Sequence, residues 1–456
     1  MNIRKRLQNV CKRKLKINIM IVQLLFVLAA IVVGARIGGI GLGVMGGVGL
    51  AILTFVFGLQ PTSPPIDVML MIVSVIAAAS CMQAAGGLDF MVKLAEKILR
   101  KNPSKVTILS PIVTYFFTFF AGTGHVAYAV LPVIAEVAKE VNIRPERPLG
   151  IAVIASQQAI TASPISAATV ALLSLLAGFD ITLFDILKIT IPATFIGVMV
   201  GAFASLKKGK ELVDDVEFQR RVKNNLIENN SHYKTKNIEN KNKAIISLSV
   251  FFLATLAIIF LGSIVSLRPS FVVDGVVKVL SMPLLIEIIM LSAAALILLF
   301  TGIDGIKATK GSVFSAGMQA VIAIFGIAWM GDTFINGNIA EMSDLIQDSV
   351  TSMPWLFGLA LFVMSILLFS QAATVRALVP LGISLGIAPY MLIALFPAVN
   401  GYFFIPNYPT VVAAINFDST GTTHIGKYVL NHSFMMPGLV ATFVSVVVGI
   451  LLIQIY

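Results

Sequence analysis

The sequence predicts an all-α polytopic membrane protein made of two inverted repeats, each with five spans and one re-entrant helical hairpin. Three observations carry this. Hydrophobic residues make up 57% of the 456-residue chain and charged residues only 12%, against roughly 25% charged in a soluble domain. The apolar residues lie in long continuous runs, which selects helices over a barrel of short alternating strands. The runs also repeat one order of elements twice. This composition excludes a soluble enzyme, a nucleic-acid binder and a disordered regulator. The net charge of +11 does not restore nucleic acid as a partner, because the basic residues lie between apolar runs, where they mark cytoplasmic loops.

Residues 1–19 carry seven basic residues, among them Arg4 and Lys12, and no acid. A basic start before an apolar run resembles a signal peptide. The run nevertheless ends in Val33-Gly34-Ala35-Arg36 without a convincing cleavage site, so it reads as a retained first span. Apolar runs follow at 40–59, 66–86, 107–137, 149–177 and 182–206. Residues 207–243 are polar, rich in Lys and Asn, and separate an N-terminal repeat (20–206) from a C-terminal one (244–456). The second set of runs is 244–267, 283–301, 312–331, 354–388, 389–415 and 429–454. In the second span, Gly39, Gly43 and Gly47 recur at every fourth position and predict close helix packing. Cys11 and Cys81 have no disulfide or metal spacing.

The runs 107–137 and 354–388 are too long for one span, and each has a small-polar break at its middle. The breaks are Gly122-Thr123-Gly124 and Ser370-Gln371-Ala372-Ala373-Thr374. Half of either run gives about 21–26 Å of helix, short of a hydrocarbon core of about 30 Å. A hairpin with its tip inside the membrane fits both lengths. Leu131-Pro132 follows the first tip at the same distance as Val379-Pro380 follows the second. Each hairpin is preceded by three spans and followed by two, and an odd number of spans per half inverts the halves. Placing the start of the first span outside puts twenty-two basic residues in inner loops and only Arg268 and Lys278 in outer ones. The acids Asp332, Glu341, Asp344 and Asp348 then fall in the outer stretch 332–353. Both termini become external and the basic residues of 1–19 lie on the wrong side, so translation is expected to start at Met20.

The spans after the two hairpins are interrupted. One carries Ser156-Gln157-Gln158 and Thr161-Ala162-Ser163-Pro164-Ile165-Ser166; the other carries Pro397, Asn400 and Pro406-Asn407-Tyr408-Pro409-Thr410. Non-helical backbone at membrane depth survives only where protein or a wet cavity covers it. Two tips and two broken spans in corresponding positions therefore outline one central site. Its hydroxyls, amides and helix N-termini suit a carboxylate. Single serines and threonines in such helices often only pack or bond their own backbone; Ser163 and Thr410, beside prolines, are the favoured functional pair. Arg376, two positions after Thr374, stands inside the second hairpin. A cation there costs at least roughly 2.5–3.5 kcal/mol, and its planar fork matches a carboxylate. A structural ion pair or a snorkelling side chain are its alternatives. One cation cannot neutralise a dianion, so a second carboxylate would need hydroxyls, helix ends or a co-transported cation. His125, after Gly124, could titrate, donate to substrate, or simply pack at the tip. Enzyme motifs are lacking: there is no HExxH, Walker loop or GxSxG, and no cofactor is expected.

Several of these motifs together are similar to a known family. Phe119-Phe120-Ala121-Gly122-Thr123-Gly124-His125, Ile143-Arg144-Pro145-Glu146-Arg147-Pro148, Ile160-Thr161-Ala162-Ser163-Pro164-Ile165-Ser166, Ser370-Gln371-Ala372-Ala373-Thr374, Tyr408-Pro409-Thr410 and Gly421-Thr422-Thr423-His424-Ile425-Gly426-Lys427 resemble the anaerobic C4-dicarboxylate transporter (Dcu) family. The resemblance runs from about Met20 to the C-terminus. It looks closest to the branch with a cation in the second hairpin, here Arg376, while His125 resembles the other branch. The resemblance implies exchange of external fumarate, malate or aspartate for internal succinate across the bacterial inner membrane during fumarate respiration. It also implies a site drawn from Gly122, Thr123, Gly124, His125, Ser163, Pro164, Ser166, Ser370, Gln371, Thr374, Arg376, Asn400, Asn407, Pro409 and Thr410. A homodimer is implied by analogy alone. The competing class on the same architecture is a cation- or proton-coupled antiporter of inorganic ions, which would want an intramembrane Asp at the broken helices.

Overall fold

The computed structural model describes residues 2–37, 40–64, 66–224, 240–273, 275–352, 355–368, 370–406, 408–426 and 430–455. Helix α1 (Asn2–Ile37) runs through the basic start into the first span, and α2 (Gly41–Ala51) continues in a π turn, Ile52–Val56. Then come α3 (Ile66–Ala84), α4 (Gly87–Lys101), α5 (Val106–Ala121), α6 (Ala127–Glu140), α7 (Glu146–Ala162), α8 (Ala167–Leu176), α9 (Leu183–Ser205) and the short α10 (Val216–Lys223). The second half holds α11 (Lys241–Ser263), α12 (Met282–Thr301), α13 (Gly305–Thr309), α14 (Ser312–Ser352), α15 (Trp355–Leu368), α16 (Gln371–Ser384), α17 (Pro389–Leu395), a 3-10 helix Phe396–Phe403, α18 (Pro409–Phe417) and α19 (Met435–Leu452). Strands β1 (Ser270–Val273) and β2 (Val276–Val279) form an exposed antiparallel hairpin between α11 and α12. It is the only sheet among the described residues.

Among the described residues, eight helices are long and apolar enough to cross a membrane, or nine if the pair α3–α4, bent by 70°, counts as one span. That makes the chain an all-α polytopic membrane protein. Three features depart from the sequence expectation. Lys93, Lys97, Arg100 and Lys101, expected in a loop, lie on α4; Met91, Val92, Ala95 and Leu99 recur at helical spacing and bury one face of it. Gly86, at φ +86°, makes the bend that separates α4 from α3. The stretch 332–352, expected as an outer loop, continues α14. In α2 the packing glycines are Gly43 and Gly46, where an added Cβ would run into the α14 backbone at Ile322 and Gly326. Gly47 meets nothing, and Gly39 lies outside the described residues.

Both long apolar runs fold back on themselves. Arg100, just before α5, bonds Glu140 at the end of α6 (2.6 Å) and Glu136 one turn earlier (3.4 Å). The first hairpin therefore starts and ends at one level. In the second, a Cβ on Gly382, late in α16, would lie 2.7 Å from the ring of Phe357, early in α15. Each hairpin's first arm packs on the interrupted helix that follows it, α5 on α7 and α15 on the 3-10 helix. Hydroxyls stitch these contacts. Ser110 and Thr114 donate to the carbonyls of Pro148 and Ala152, and Ser365 Oγ accepts from Gly401 N–H (2.8 Å). Helices α9 and α19 pack closely through Gly197 and Gly201 against Ala441, Ser445 and Pro437.

A strap formed by residues 207–224 crosses the loops at the feet of both interrupted helices. Arg144 pairs with Glu146 (2.6 Å) and Asp215, Arg147 with Glu211 (2.9 Å), and Lys208 with Glu146 (3.1 Å). Lys208 Nζ also donates to Ser433 O and Arg221 to Ser419 O. The loop it reaches is organised by buried Asp418, which accepts from Thr420 N–H, Thr423 N–H and the hydroxyls of Thr420 and Thr422. Burial works to raise the Asp215 pKa, but the Phe218 N–H and the Arg144 guanidinium outweigh it and hold the carboxyl below its usual range.

Candidate substrate-binding site

Helix α5 stops at Gly122, whose φ of +69° reverses the chain. A Cβ there would come 2.9 Å from Ile165, so the first tip lies against the interruption between α7 and α8. Thr123 and Gly124 complete the turn; the side chain of His125 lies outside the described residues. Helix α7 ends because Pro164 has no N–H and disfavours helix at the residue before it. Ser163 accordingly turns extended (φ −77°, ψ 129°). Ser163, Pro164 and Ser166 are all buried. Ser166 Oγ caps α8, accepting from Thr169 N–H (3.1 Å) and donating to Ile160 O (2.6 Å). Ser163 Oγ has no hydrogen-bond partner.

The second tip repeats part of this chemistry. Ser370 Oγ caps α16 by accepting from Ala373 N–H (3.2 Å), and Thr374 Oγ1 donates back to Ser370 O (2.8 Å). Gln371 and Arg376 are buried on the same helix. The interruption opposite runs through the 3-10 helix, where Asn400 leaves helical geometry (φ −98°, ψ 31°), to α18, which Pro409 opens. Thr410 is 1% exposed and its hydroxyl has no hydrogen-bond partner. Asn407 lies outside the described residues.

A chain of buried carboxamides joins these parts. Gln371 Nε2 donates to Gln157 Oε1 (2.9 Å) and Asn400 Oδ1 (3.2 Å). Asn400 Nδ2 donates to Gln158 Oε1 (3.2 Å), and Gln158 Nε2 to Thr442 Oγ1 (2.9 Å). Gly124 presses on Gln157 so closely that a Cβ would overlap its amide. The second tip and both interrupted helices are thus bonded together, and the first tip sits in contact with them. Gln371 and Asn400 were expected here. Gln157 and Gln158 were visible in the sequence as amides of the first interrupted span but were not among the expected binding residues. Thr442, a lone threonine in a span, gave no signal.

Arg376 is 9% exposed and makes no ion pair among the described residues; its Nε has no hydrogen-bond partner. Asp332 on α14 and Asp67 on α3 are the acids whose fields reach it. Ser163, Thr410 and Arg376 thus each leave a buried polar atom unmet, although such atoms are normally satisfied. Ser166, Ser370 and Thr374 spend their hydroxyls on local backbone.

Folded-back helix pairs and interrupted helices around an internal polar core define a polytopic helical membrane protein with a buried polar site. Residues 19–456 match the family described as anaerobic C4-dicarboxylate membrane transporters. The chain is 42% identical to the DcuB transporter of Escherichia coli over 94% of its length and 97% of that protein. It is 44% identical to the DcuA C4-dicarboxylate transporters of Wolinella succinogenes and Escherichia coli, covering 98% and 99% of them. A structure of Neisseria gonorrhoeae MtrF, described with a class of antimetabolite efflux pumps, covers 97% of this chain at a TM-score of 0.51 and 14% identity, a likeness of fold. The chain belongs to the anaerobic C4-dicarboxylate membrane transporter family and is a multi-pass transport protein, not an enzyme.

Proposed function

We propose that this protein exchanges C4-dicarboxylates across the bacterial inner membrane by alternating access, taking up fumarate, malate or aspartate and releasing succinate. The single observation that carries the reading is the set of unmet buried polar atoms, Ser163 Oγ, Thr410 Oγ1 and Arg376 Nε, on the elements that the carboxamide chain gathers. A buried guanidinium without an ion pair is a ready partner for a carboxylate. Helices α8 and α16 open at the interruption and the tip, so their N-termini add partial positive charge. The printed names of the relatives supply the substrate class.

The two halves act as inverted repeats in this reading. Support comes from paired contacts: α2 on α14 matches α12 on α3, α1 on α2 matches α11 on α12, and α8 on α16 matches α18 on α6. The hairpins then enter from opposite sides. The interruptions themselves carry no carboxylate, which favours an organic anion over the inorganic-ion antiporter.

The test uses exchange per folded transporter in proteoliposomes, with succinate and butyrate, in wild type, Arg376→Ala and Arg376→Lys. Arg376→Ala nearly abolishes succinate exchange. Arg376→Lys keeps part of it, because charge remains while the bidentate fork is lost. Near-normal exchange by a well-folded Arg376→Ala protein removes Arg376 from the site.

A further inference from the structure

We infer that Gln157 binds the substrate's second carboxylate through its Nε2 amino group, and that Gln371 fixes the orientation that makes this possible. The inference rests on the dicarboxylate reading above and adds the residue that would recognise the dianion's far end. Gln157 is 1% exposed. Its Oε1 is taken by Gln371 Nε2 at 2.9 Å, so the amino group points away from Gln371. That side is the first tip, where Gly124 leaves just enough room for Nε2 and a Cβ would overlap it. Among the described residues no acceptor meets Gln157 Nε2.

The orientation is enforced along the whole chain of amides. Gln371 Nε2 gives its two hydrogens to Gln157 and Asn400, Asn400 donates to Gln158, and Gln158 to Thr442. Flipping Gln157 would set two amino groups against each other, a donor facing a donor. The donor at the tip is therefore held in place before substrate arrives. Arg376 supplies a buried cation for one carboxylate, and Gln157 offers the dianion's other carboxylate a neutral donor.

The experiment is binding of succinate and butyrate to purified full-length wild type, Gln157→Leu, Gln157→Asn and Gln371→Leu, measured per folded protein. Gln157→Leu should weaken succinate by about ten- to a hundredfold, the loss of one hydrogen bond to a charged group. Butyrate binding should stay as it is, so the preference for the diacid collapses. Gln371→Leu should move the preference in the same direction by freeing the Gln157 amide. If Gln157→Leu is not recovered folded, Gln157→Asn carries the same reading, since its amide falls one methylene short of the tip. A folded Gln157→Leu or Gln157→Asn protein that keeps the wild-type preference for succinate overturns the inference. Failure of wild type itself to bind any C4-dicarboxylate sinks the transport reading instead, and this inference with it.

Discussion

Ser163 and Ser166 stand three residues apart in one interruption and do different jobs. Ser166 Oγ is consumed by its cap, whereas Ser163 Oγ is buried and unmet. The same contrast separates Ser370, a cap, from Thr410. Ser163→Ala and Thr410→Val should therefore weaken succinate binding by about 1.5–3 kcal/mol each if the hydroxyl meets a carboxylate, with little change in thermal stability. Ser166→Ala and Ser370→Ala should instead cost about 1 kcal/mol of stability as lost caps. Melting curves with and without succinate distinguish the two classes. A loss of stability, without a loss of affinity, in Ser163→Ala would place it among the structural serines. The sequence picked out all four hydroxyls because they flank prolines or tips. It favoured Ser163 and Thr410 for the prolines beside them, but it did not show that Ser166 and Ser370 are spent on caps, since that depends on whether an N–H three residues on turns toward the oxygen.

The fold-back of the two long runs was legible at the scale of elements, because a run too long for one span with small residues at its centre has few ways to fold. The strap was not. Residues 207–243 read as a polar linker, and nothing in their composition says that Lys208, Glu211 and Asp215 would tie its first part to Glu146, Arg147 and Arg144 at the feet of the interrupted helices. Asp215 gives this contact a pH dependence. Its pKa is lowered in the folded protein, so its contribution is present above the ordinary carboxylate range and is lost as pH falls through the lowered value. Protease sensitivity of the strap should rise on acidification below the ordinary range, and Asp215→Asn should show that raised sensitivity already at neutral pH. Identical digestion of Asp215→Asn and wild type at neutral pH would show that the pair does not hold the strap. The amphipathic α4 escaped notice for a related reason. Its lysines point to the same side of the membrane whether they sit on a loop or a helix, and only the spacing of Met91, Ala95 and Leu99 reveals the helix.

For the whole molecule, composition alone gave the class, and element order gave the proposed inversion. The placing of basic residues puts Lys105 and Lys241 inside and Asp344 outside. Single cysteines there, probed with a membrane-impermeant reagent in intact cells, should label only at 344; labelling at 241 would reverse the orientation. The meeting of the second tip with both interrupted helices lay beyond sequence reasoning, because it depends on amides more than two hundred residues apart, Gln157 and Gln371, finding each other. The claim that this buried site carries out exchange is tested most directly by counterflow. Purified protein is placed in liposomes loaded with labelled succinate, without any ion gradient. Label should leave rapidly when fumarate, malate or aspartate is added outside and stay inside when butyrate or buffer is added. Release that ignores external dicarboxylate, or that follows an imposed proton or sodium gradient instead, would contradict the account.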